Sequence, residues 1–313
     1  MIRTLQAFNL KGKNILIRTD FNVPMKDEVV TNNFRIKASL PTIKTCIEAG
    51  ASVVLMSHLG RPKGRKDSSL SLIPVGEELA GLLEMPIKFS EDSVSTDAID
   101  TSISLKPGEI HLLENLRFYK GEENNDTEFS SQLARHGHVY INDAFGTSHR
   151  EHASNSSILK YFKIKAIGFL MMREFDYLDN SFNNESKSVV VFGGAKISTK
   201  IKMLKNFINK SSHILIGGAM AFTFLKSKGI NVGKSLVEDD MIDEASEILR
   251  MANENKVEII LPVDVVCSEE YSNSSEFRVC NVDEISNEEM ALDIGPETTM
   301  IFEMIIESSK SII

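Results

Sequence analysis

Arginines that could bind an anion follow successive apolar runs in the first half of the chain. A guanidinium group grips a carboxylate or a phosphate with two parallel hydrogen bonds, which a lysine cannot do. At an effective dielectric constant near 20, two unit charges about 4 Å apart interact by roughly 4 kcal/mol, so several cations together can hold a multiply charged small anion. Taken singly, each arginine would more often be a solvated surface charge. Because several arginines follow apolar runs in this way, an anion site is favoured. The candidates are Arg35, Arg61, Arg117 and Arg150.

Other residues that could complete such a site lie beside these arginines in the sequence. They follow the first apolar run in "RTDFNVP" or precede Arg61 in "SHLGRPKG", and they are Asp20, Phe21, Asn22, His58 and Gly60. His58 could equally cap its loop through a backbone hydrogen bond. The histidine pairs 136 and 138, and 149 and 152, have no carboxylate or cysteine at a recognised ligand spacing, so no metal site is predicted.

A second kind of signal occurs after residue 188. The stretch "VVVFGGAKISTKIK" is typical of a strand, two glycines and then a helix that carries Lys196 and Lys200 on one face. The glycines let the backbone approach a phosphate, and a helix start directs free N–H groups at it. The alternative is a plain turn with two exposed lysines. A second glycine pair ends the next strand and favours a nucleotide site, so the candidates are Gly193, Gly194, Gly217 and Gly218.

Two nucleotide-binding fingerprints are not supported. The segment "GINVGKS" (229–235) has three residues between its glycines where a P-loop has four, and it follows a helical pattern instead of a strand. No GxGxxG occurs, so a Rossmann dinucleotide site is not predicted.

The elements that must position these residues are strands and helices in alternation. Apolar runs without polar alternation are typical of strands covered on both faces, and they lie at 14–18, 51–57, 109–114, 138–143, 165–169, 188–194, 212–218 and 257–267. Helical patterns lie between them, and one ends at Gly50, a C′ position. Ligands bind beyond the carboxyl ends of such parallel strands, where the candidate arginines fall. We therefore predict an α/β fold of two doubly wound parallel-sheet (Rossmann-like) domains joined by a helix hinge.

The polar stretch 176–188 separates the two series of strands. It places a first domain at 1–170, a connecting helix and linker at 171–187, and a second domain at 188–313. At the end, "ETTMIFEMIIESSK" has helical spacing and "SII" begins what should be another strand. We interpret the sequence as truncated and the second domain as incomplete.

Composition narrows the class of protein. The 313 residues, 42% hydrophobic with a net charge of −9, are typical of a globular protein that does not bind nucleic acid generically. No apolar run approaches the roughly 18 residues that span a bilayer. Three widely spaced cysteines indicate reduced thiols and a cytoplasmic location. We expect small-molecule ligands, no nucleic-acid or membrane partner, and a monomer.

Six motifs together resemble the phosphoglycerate kinase family, in its order and at its approximate spacing over the whole chain. They are "RTDFNVP" (18–24), "SHLGRPKG" (57–64), "ENLRF" (114–118), "TSHREHAS" (147–154), "GGAKISTKI" (193–201) and "LDIGPET" (292–298).

The resemblance implies a cytoplasmic two-domain, hinge-bending transferase of glycolysis and carbon fixation. Such an enzyme moves a phosphoryl group between 1,3-bisphosphoglycerate and ADP, giving 3-phosphoglycerate and ATP, with Mg²⁺ carried by the nucleotide. It assigns phosphoglycerate binding to Asp20, Phe21, Asn22, Arg35, His58, Leu59, Gly60, Arg61, Arg117 and Arg150. It assigns nucleotide binding to Gly193, Gly194, Lys196 and Lys200. Arg35, Lys196 and Lys200 would face the transferred group.

The sequence departs from the family pattern in its last part. The Trp-Asn-Gly-Pro segment, a nucleotide-binding glutamate, the Gly-Gly-Gly-Asp-Thr loop and a final helix are not in these 313 residues, and Ala291 replaces a family glycine. We expect this form to bind phosphoglycerate at best and to turn over poorly or not at all. A non-catalytic phosphoglycerate- or nucleotide-binding remnant of the scaffold, and a generic α/β sugar-phosphate enzyme, are the alternatives.

Overall fold

A computed structural model describes residues 3–183, 188–272 and 274–313. Its internal contacts divide the chain into two compact units, Met1–Asp176 and Tyr177–Ile313. The division falls inside the segment 171–187 that the sequence assigns to a connector, whereas the exact domain limits stay a prediction.

The first unit is built on a six-stranded parallel sheet with the strand order β5-β6-β4-β1-β7-β8. A two-stranded hairpin, β2 and β3, lies outside it. The strands are β1 (Asn14–Thr19), β2 (Met25–Lys26), β3 (Val29–Val30), β4 (Ser52–Met56), β5 (Ile87–Ser90), β6 (Ile110–Leu113), β7 (Val139–Asp143) and β8 (Ile164–Ile167). The helices are α1 (Phe34–Glu48), α2 (Ile73–Leu83), α3 (Thr96–Ile103), α4 (Lys120–Glu123), α5 (Thr127–Ala134) and α6 (Phe169–Asn183).

Alternate residues of the central strands enter two different apolar clusters. Ile15 and Ile17 belong to one cluster, whereas Leu16 belongs to the other. A strand whose successive side chains point to opposite faces must be apolar throughout when both faces are covered. The prediction of doubly covered parallel strands is therefore confirmed. Gly50 follows α1 with φ of +77°, as predicted for a C′ residue.

The second unit contains two three-stranded sheets. One is parallel, in the order β11-β10-β9, and the other is antiparallel, in the order β13-β12-β14. The strands are β9 (Ser188–Phe192), β10 (Ser211–Ile216), β11 (Glu258–Ile260), β12 (Asp264–Ser268), β13 (Arg278–Asn281) and β14 (Met290–Ile294). The helices are α7 (Ile201–Ile208), α8 (Met220–Ser227), α9 (Ile242–Glu254) and α10 (Pro296–Glu307).

The prediction of a single strand at 257–267 is wrong. Pro262 has no backbone N–H, and at Val263 the chain leaves the parallel sheet: the Val263 amide donates to Thr298 Oγ1 at 3.0 Å. The run is thus two strands, β11 and β12, in different sheets. Residues 311–313, in contrast, pair with β9 as a parallel neighbour, because Val191 N donates to Ile313 O at 2.8 Å. Ile312 forms an isolated parallel bridge with Val189, so "SII" lies beside β9, as expected for the start of a strand, but it is not itself a strand in the structure.

Within the described residues, no helix has the length and apolar character needed to cross a bilayer.

Candidate active site

The loop after β1 is tied to two other segments of the first unit. Asp20 Oδ2 accepts a hydrogen bond from Arg35 at 2.7 Å, and the guanidinium of Arg35 stays half exposed. Asn22 Oδ1 accepts from the backbone amide of Gly60 at 2.9 Å. Phe21 is buried, and its amide donates to Ser57 Oγ. Phe21 therefore anchors the loop, while Asp20 and Asn22 orient an arginine and the next loop.

The loop after β4 is held by the segment that follows β6. Asn115 Nδ2 donates to Leu59 O at 2.7 Å, and Leu59 N donates back to Asn115 Oδ1 at 3.2 Å. Arg117 donates to Gly60 O at 2.7 Å. Gly60 has φ of +61°, which favours glycine, and a Cβ on it would lie 2.7 Å from Leu70 Cδ2, so a larger residue would strain the backbone and push the Leu70 side chain aside. Arg61, which follows, is exposed.

Positive charge is concentrated around His58. The ring is buried, and burial lowers its pKa from 6.5 to about 2, with further lowering by the charges of Arg18, Arg117 and Arg150. Burial also lowers the pKa of Arg117, and the charge of Arg150 adds to this effect. Glu123 offers one carboxylate oxygen 3.5 Å from Arg117 Nε. Cations that destabilise one another in this way are suited to a multiply charged anion.

The structure therefore brings together most of the residues predicted for the first unit. Hydrogen bonds or mutual charge effects link Asp20, Asn22, Arg35, His58, Leu59, Gly60, Arg117 and Arg150. Among the described residues, none holds the exposed side chain of Arg61 by a contact of this kind.

Three residues that contact this cluster were missed by the sequence interpretation. Arg18 is almost fully buried and donates to His58 Nδ1 at 3.1 Å and to Ser154 Oγ at 2.9 Å. Ser154 in turn donates to the buried carboxylate of Glu122 at 2.6 Å. The available signal was Arg18 itself, because a charge at the end of an apolar strand is rarely buried without a partner.

In the second unit, the two glycine pairs lie next to each other. Met220 N donates to Gly194 O at 2.9 Å, and a Cβ on Gly218 would lie only 2.8 Å from Gly194 N. The φ angles, +132° at Gly194 and +66° at Gly218, favour glycine at both positions. Gly217 N, in addition, donates to Phe192 O at 2.8 Å. Glycine backbone without side chains therefore lies side by side at the ends of β9 and β10.

The two lysines after β9 do not share a helix face, and this part of the prediction is wrong. Helix α7 begins at Ile201, so Lys200 is its N-cap residue and Lys196 lies in the preceding loop. The loop turns because Ile197 is buried and its carbonyl accepts from Lys200 N at 2.8 Å. Lys200 still lies at the glycines, since a Cβ on Gly194 would be 3.1 Å from Lys200 Nζ. Lys196 is exposed.

Glu238 fixes the loop that carries Lys196. Its carboxylate accepts from Ser198 N at 3.0 Å and from Ser198 Oγ at 2.6 Å. Burial alone would raise the pKa of Glu238, but these hydrogen bonds and the charge of Lys196 outweigh it and lower that pKa. An ionised carboxylate therefore remains beside the lysine.

The P-loop-like segment follows helix α8, which fits its rejection as a phosphate loop. A Cβ on Gly233 would lie 2.2 Å from Ser286 O, and Lys234 Nζ pairs with Glu288 at 2.6 Å. The segment packs on residues 285–289. Among the described residues, no group of three or more His, Cys, Asp or Glu side chains is arranged to hold a metal ion.

Comparison with known proteins gives one family. The family model described as phosphoglycerate kinase matches residues 5–313. The phosphoglycerate kinase of Finegoldia magna is 45% identical over 99% of this chain and 79% of its own length. That of Thermosipho africanus is 46% identical over 99% of this chain and 77% of its own length.

Solved structures agree with these matches. The chain is similar to phosphoglycerate kinase from Coxiella burnetii, with a TM-score of 0.83 and 36% identity over 100% of this chain and 79% of that one. It is also similar to phosphoglycerate kinase from Pyrococcus horikoshii OT3, with a TM-score of 0.79 and 28% identity over 100% of this chain and 80% of that one. The chain thus spans about four fifths of the proteins it resembles.

Proposed function

The chain belongs to the phosphoglycerate kinase family, and from that premise we propose which of its residues carry the reaction. The family reaction is phosphoryl transfer between 1,3-bisphosphoglycerate and ADP, which gives 3-phosphoglycerate and ATP in glycolysis. The chain is accordingly an ATP-dependent phosphotransferase, and the matches do not favour the non-catalytic alternative.

The phosphoglycerate binds at the cluster of the first unit. The observation that carries this proposal is the mutual charge effect at the ends of parallel strands: the charge of Arg150 lowers the pKa of Arg117, and both arginines disfavour a charged His58. Asp20 accepts one hydrogen bond from the guanidinium of Arg35, which stays half exposed. The remaining N–H groups of Arg35 can therefore donate to a ligand. The other proposed contacts are Phe21, Asn22, Leu59, Gly60 and Arg61.

The nucleotide phosphates bind at the glycine pairs of the second unit. Bare backbone at Gly194 and Gly218 allows close approach of a phosphate, and Lys200 supplies a cation at the same place. Gly193, Gly217 and Lys196 complete the proposed set. Mg²⁺ enters as part of the nucleotide substrate, where it neutralises phosphate oxygens.

Catalysis in this proposal consists of positioning and charge neutralisation. The transition state of phosphoryl transfer is loose and spreads charge over the oxygens of the transferred group, so the protein performs little covalent chemistry. Arg35, Lys196 and Lys200 are the cations that we assign to those oxygens. A cation that acts on the transition state lowers the barrier without tightening the ground-state complex.

A lysine substitution tests this proposal. In a full-length, active form of the protein, Lys200→Ala should lower kcat by about 100- to 1,000-fold, the usual cost of removing one transition-state donor, while the Kd for 3-phosphoglycerate changes by less than about threefold. Steady-state kinetics in the direction of ATP consumption give kcat, and isothermal titration calorimetry gives Kd.

Lys202, an exposed lysine of α7, provides the matched control, and Lys202→Ala should keep kcat within about twofold of wild type. Equal losses in kcat and in phosphoglycerate affinity for Lys200→Ala would contradict the role given to Lys200. Failure of 3-phosphoglycerate to bind the wild-type chain would contradict the proposed cluster.

A further inference from the structure

A line of buried polar side chains leads to His58 from the interior of the first unit. It consists of Glu122, Ser154, Arg18 and His58, whose exposed fractions are 0%, 0%, 1% and 4%. Ser154 Oγ is 2.6 Å from Glu122 Oε1 and 2.9 Å from Arg18 Nε, and Arg18 is 3.1 Å from His58 Nδ1. The two opposite charges are thus connected through one hydroxyl.

Only one assignment of donors and acceptors fits the hydrogen bonds from Arg18 through Ser154 to Glu122. Arginine has five N–H donors and no acceptor, and an ionised carboxylate only accepts. Ser154 Oγ must therefore accept from Arg18 and donate to Glu122. Ser154 N also donates to Glu122 Oε2 at 3.0 Å. Glu122 is held from two sides, and its charge stabilises the buried guanidinium.

The same reasoning fixes the tautomer of His58. Because Arg18 can only donate, His58 Nδ1 must accept, and the ring proton must reside on Nε2. Protonation of Nδ1 would place two donors against each other in a buried place and would break the bond from Arg18. The surrounding charges of Arg117 and Arg150 disfavour an imidazolium further. His152 faces the ring as well and lies 3.8 Å from Glu122.

We infer that Arg18, held by Ser154 and Glu122, is a positioning residue that fixes the proton of the buried His58 ring on Nε2, so that this N–H donates a hydrogen bond to the acid ester bound in the arginine cluster. The inference rests on the proposed function, since it takes the phosphoglycerate as the acceptor. Arg18 acts through His58 and does not itself touch the ligand.

A fixed neutral donor has a chemical advantage at this place. Carboxylate and phosphate oxygens are acceptors, so the Nε2–H tautomer matches them and the Nδ1–H tautomer does not. A histidine with an ordinary pKa of about 6.5 would change charge within the physiological range. Because His58 is buried and Arg18 donates to its Nδ1, the ligand meets the same donor throughout that range.

Nitrogen NMR of protein labelled with ¹⁵N-histidine tests the inference, with His58→Gln used to assign the signals. In the wild type we expect protonated Nε2, unprotonated Nδ1 and no titration of His58 between pH 5 and 8. In Arg18→Lys, which lacks the planar fork that joins Ser154 and His58, the proton should no longer be confined to Nε2, and the signals of the two ring nitrogens should move toward each other. Ser154→Ala, which only releases Arg18 from Glu122, should give a smaller change in the same direction.

Arg250→Lys is the matched control, because Arg250 is an exposed arginine of α9 paired with Glu254. It should leave the His58 signals unchanged. A proton on Nδ1 in the wild type, or titration of wild-type His58 between pH 5 and 8, would overturn the inference without the need for any variant to fold.

Addition of 3-phosphoglycerate separates the two proposals. If calorimetry shows binding and the Nε2 signal shifts, the donor role is supported. If the ester binds and Nε2 does not shift, the donor role is overturned while the binding cluster stands. If calorimetry detects no binding to a folded wild type, the cluster itself fails, whatever the tautomer of His58.

Discussion

Two buried histidines of the first unit share one serine hydroxyl. His136 Nε2 is 2.9 Å from Ser93 O, a pure acceptor, so His136 donates there and its Nδ1 accepts from Ser102 Oγ at 2.6 Å. His111 Nδ1 must then donate to Ser102 Oγ at 2.8 Å, while its Nε2 accepts from Ser90 Oγ. Both rings are neutral in this network, and burial lowers the pKa of each to about 4, with smaller effects of Lys88 and Arg135.

This network predicts a loss of stability in mild acid. The unfolded chain takes up protons near pH 6.5, but the folded chain resists them down to about pH 4. Stability is therefore complete above pH 6.5 and falls as the pH drops to about 4. At about 1.4 kcal/mol per unit of pKa shift, two shifts of about 2.5 units give a loss on the order of 7 kcal/mol for the pair. Urea unfolding at a series of pH values measures it.

Replacement of the histidines tests the assignment. His111→Gln with His136→Gln lowers stability at pH 7 but should reduce its pH dependence between 6.5 and 4 to the part that the buried His58 contributes. His149→Gln, at an exposed histidine, serves as the control and should keep the wild-type slope. A wild-type slope in the double variant would contradict the prediction.

The sequence alone could predict some residues of the site but not others. Arg117 and Arg150 were predicted to lie close together because they follow apolar strands and the strand ends of one sheet converge. Their charges act on each other in the structure, while their role in binding stays a prediction. The connection from Arg18 through Ser154 to Glu122 spans 136 and 32 positions of sequence, and each residue type is ordinary alone. Only the folded register brings them together.

At the level of elements, each unit uses a carboxylate to begin a helix. Asp143 Oδ1, at the end of β7, accepts from Leu170 N at 2.9 Å at the start of α6. Asp264, at the start of β12, accepts from Thr298 N at 2.7 Å at the start of α10. A negative charge at the N-terminus of a helix compensates its unpaired N–H groups and its dipole.

The second of these caps should contribute measurably to stability. Asp264 Oδ2 accepts from Glu297 N at 2.9 Å, so Asp264→Asn would turn an amide donor toward an N–H on at least one side. We expect a loss of about 1–3 kcal/mol in the free energy of unfolding, measured by urea denaturation. Asp283→Asn, at an exposed aspartate, should change stability by less than about 0.5 kcal/mol. Equal effects of the two substitutions would show that the cap is not stabilising.

The elements also show where sequence patterns reach their limit. Buried parallel strands were predictable because they are apolar without alternation. The antiparallel sheet β13-β12-β14 was not, since β12 continues the apolar run of β11 and the break depends on side-chain acceptors such as Thr298, distant in sequence. Helix α7 likewise begins later than its pattern predicts, because Ile197 is drawn into the core.

At the level of the whole molecule, each unit has apolar clusters of its own. The clusters of the first unit contain residues between Leu5 and Phe169, and those of the second contain residues between Val189 and Ile313. A ligand stabilises the structure that binds it by RT ln(1 + [L]/Kd), which is about 2.7 kcal/mol at 100 times Kd. Because the apolar clusters are separate, we expect each ligand to stabilise the unit that binds it.

Hydrogen exchange followed by mass spectrometry should therefore separate the two ligands. Saturating 3-phosphoglycerate should slow amide exchange in the loops at 20–22, 58–61 and 115–118, and ADP with Mg²⁺ should slow it at 193–200 and 217–220. Peptides from 229–235, the segment rejected as a P-loop, act as the internal control and should respond to neither ligand. If the nucleotide protects 229–235 and not 193–200, its phosphates do not bind at the glycine pairs. That result would contradict the proposed nucleotide site.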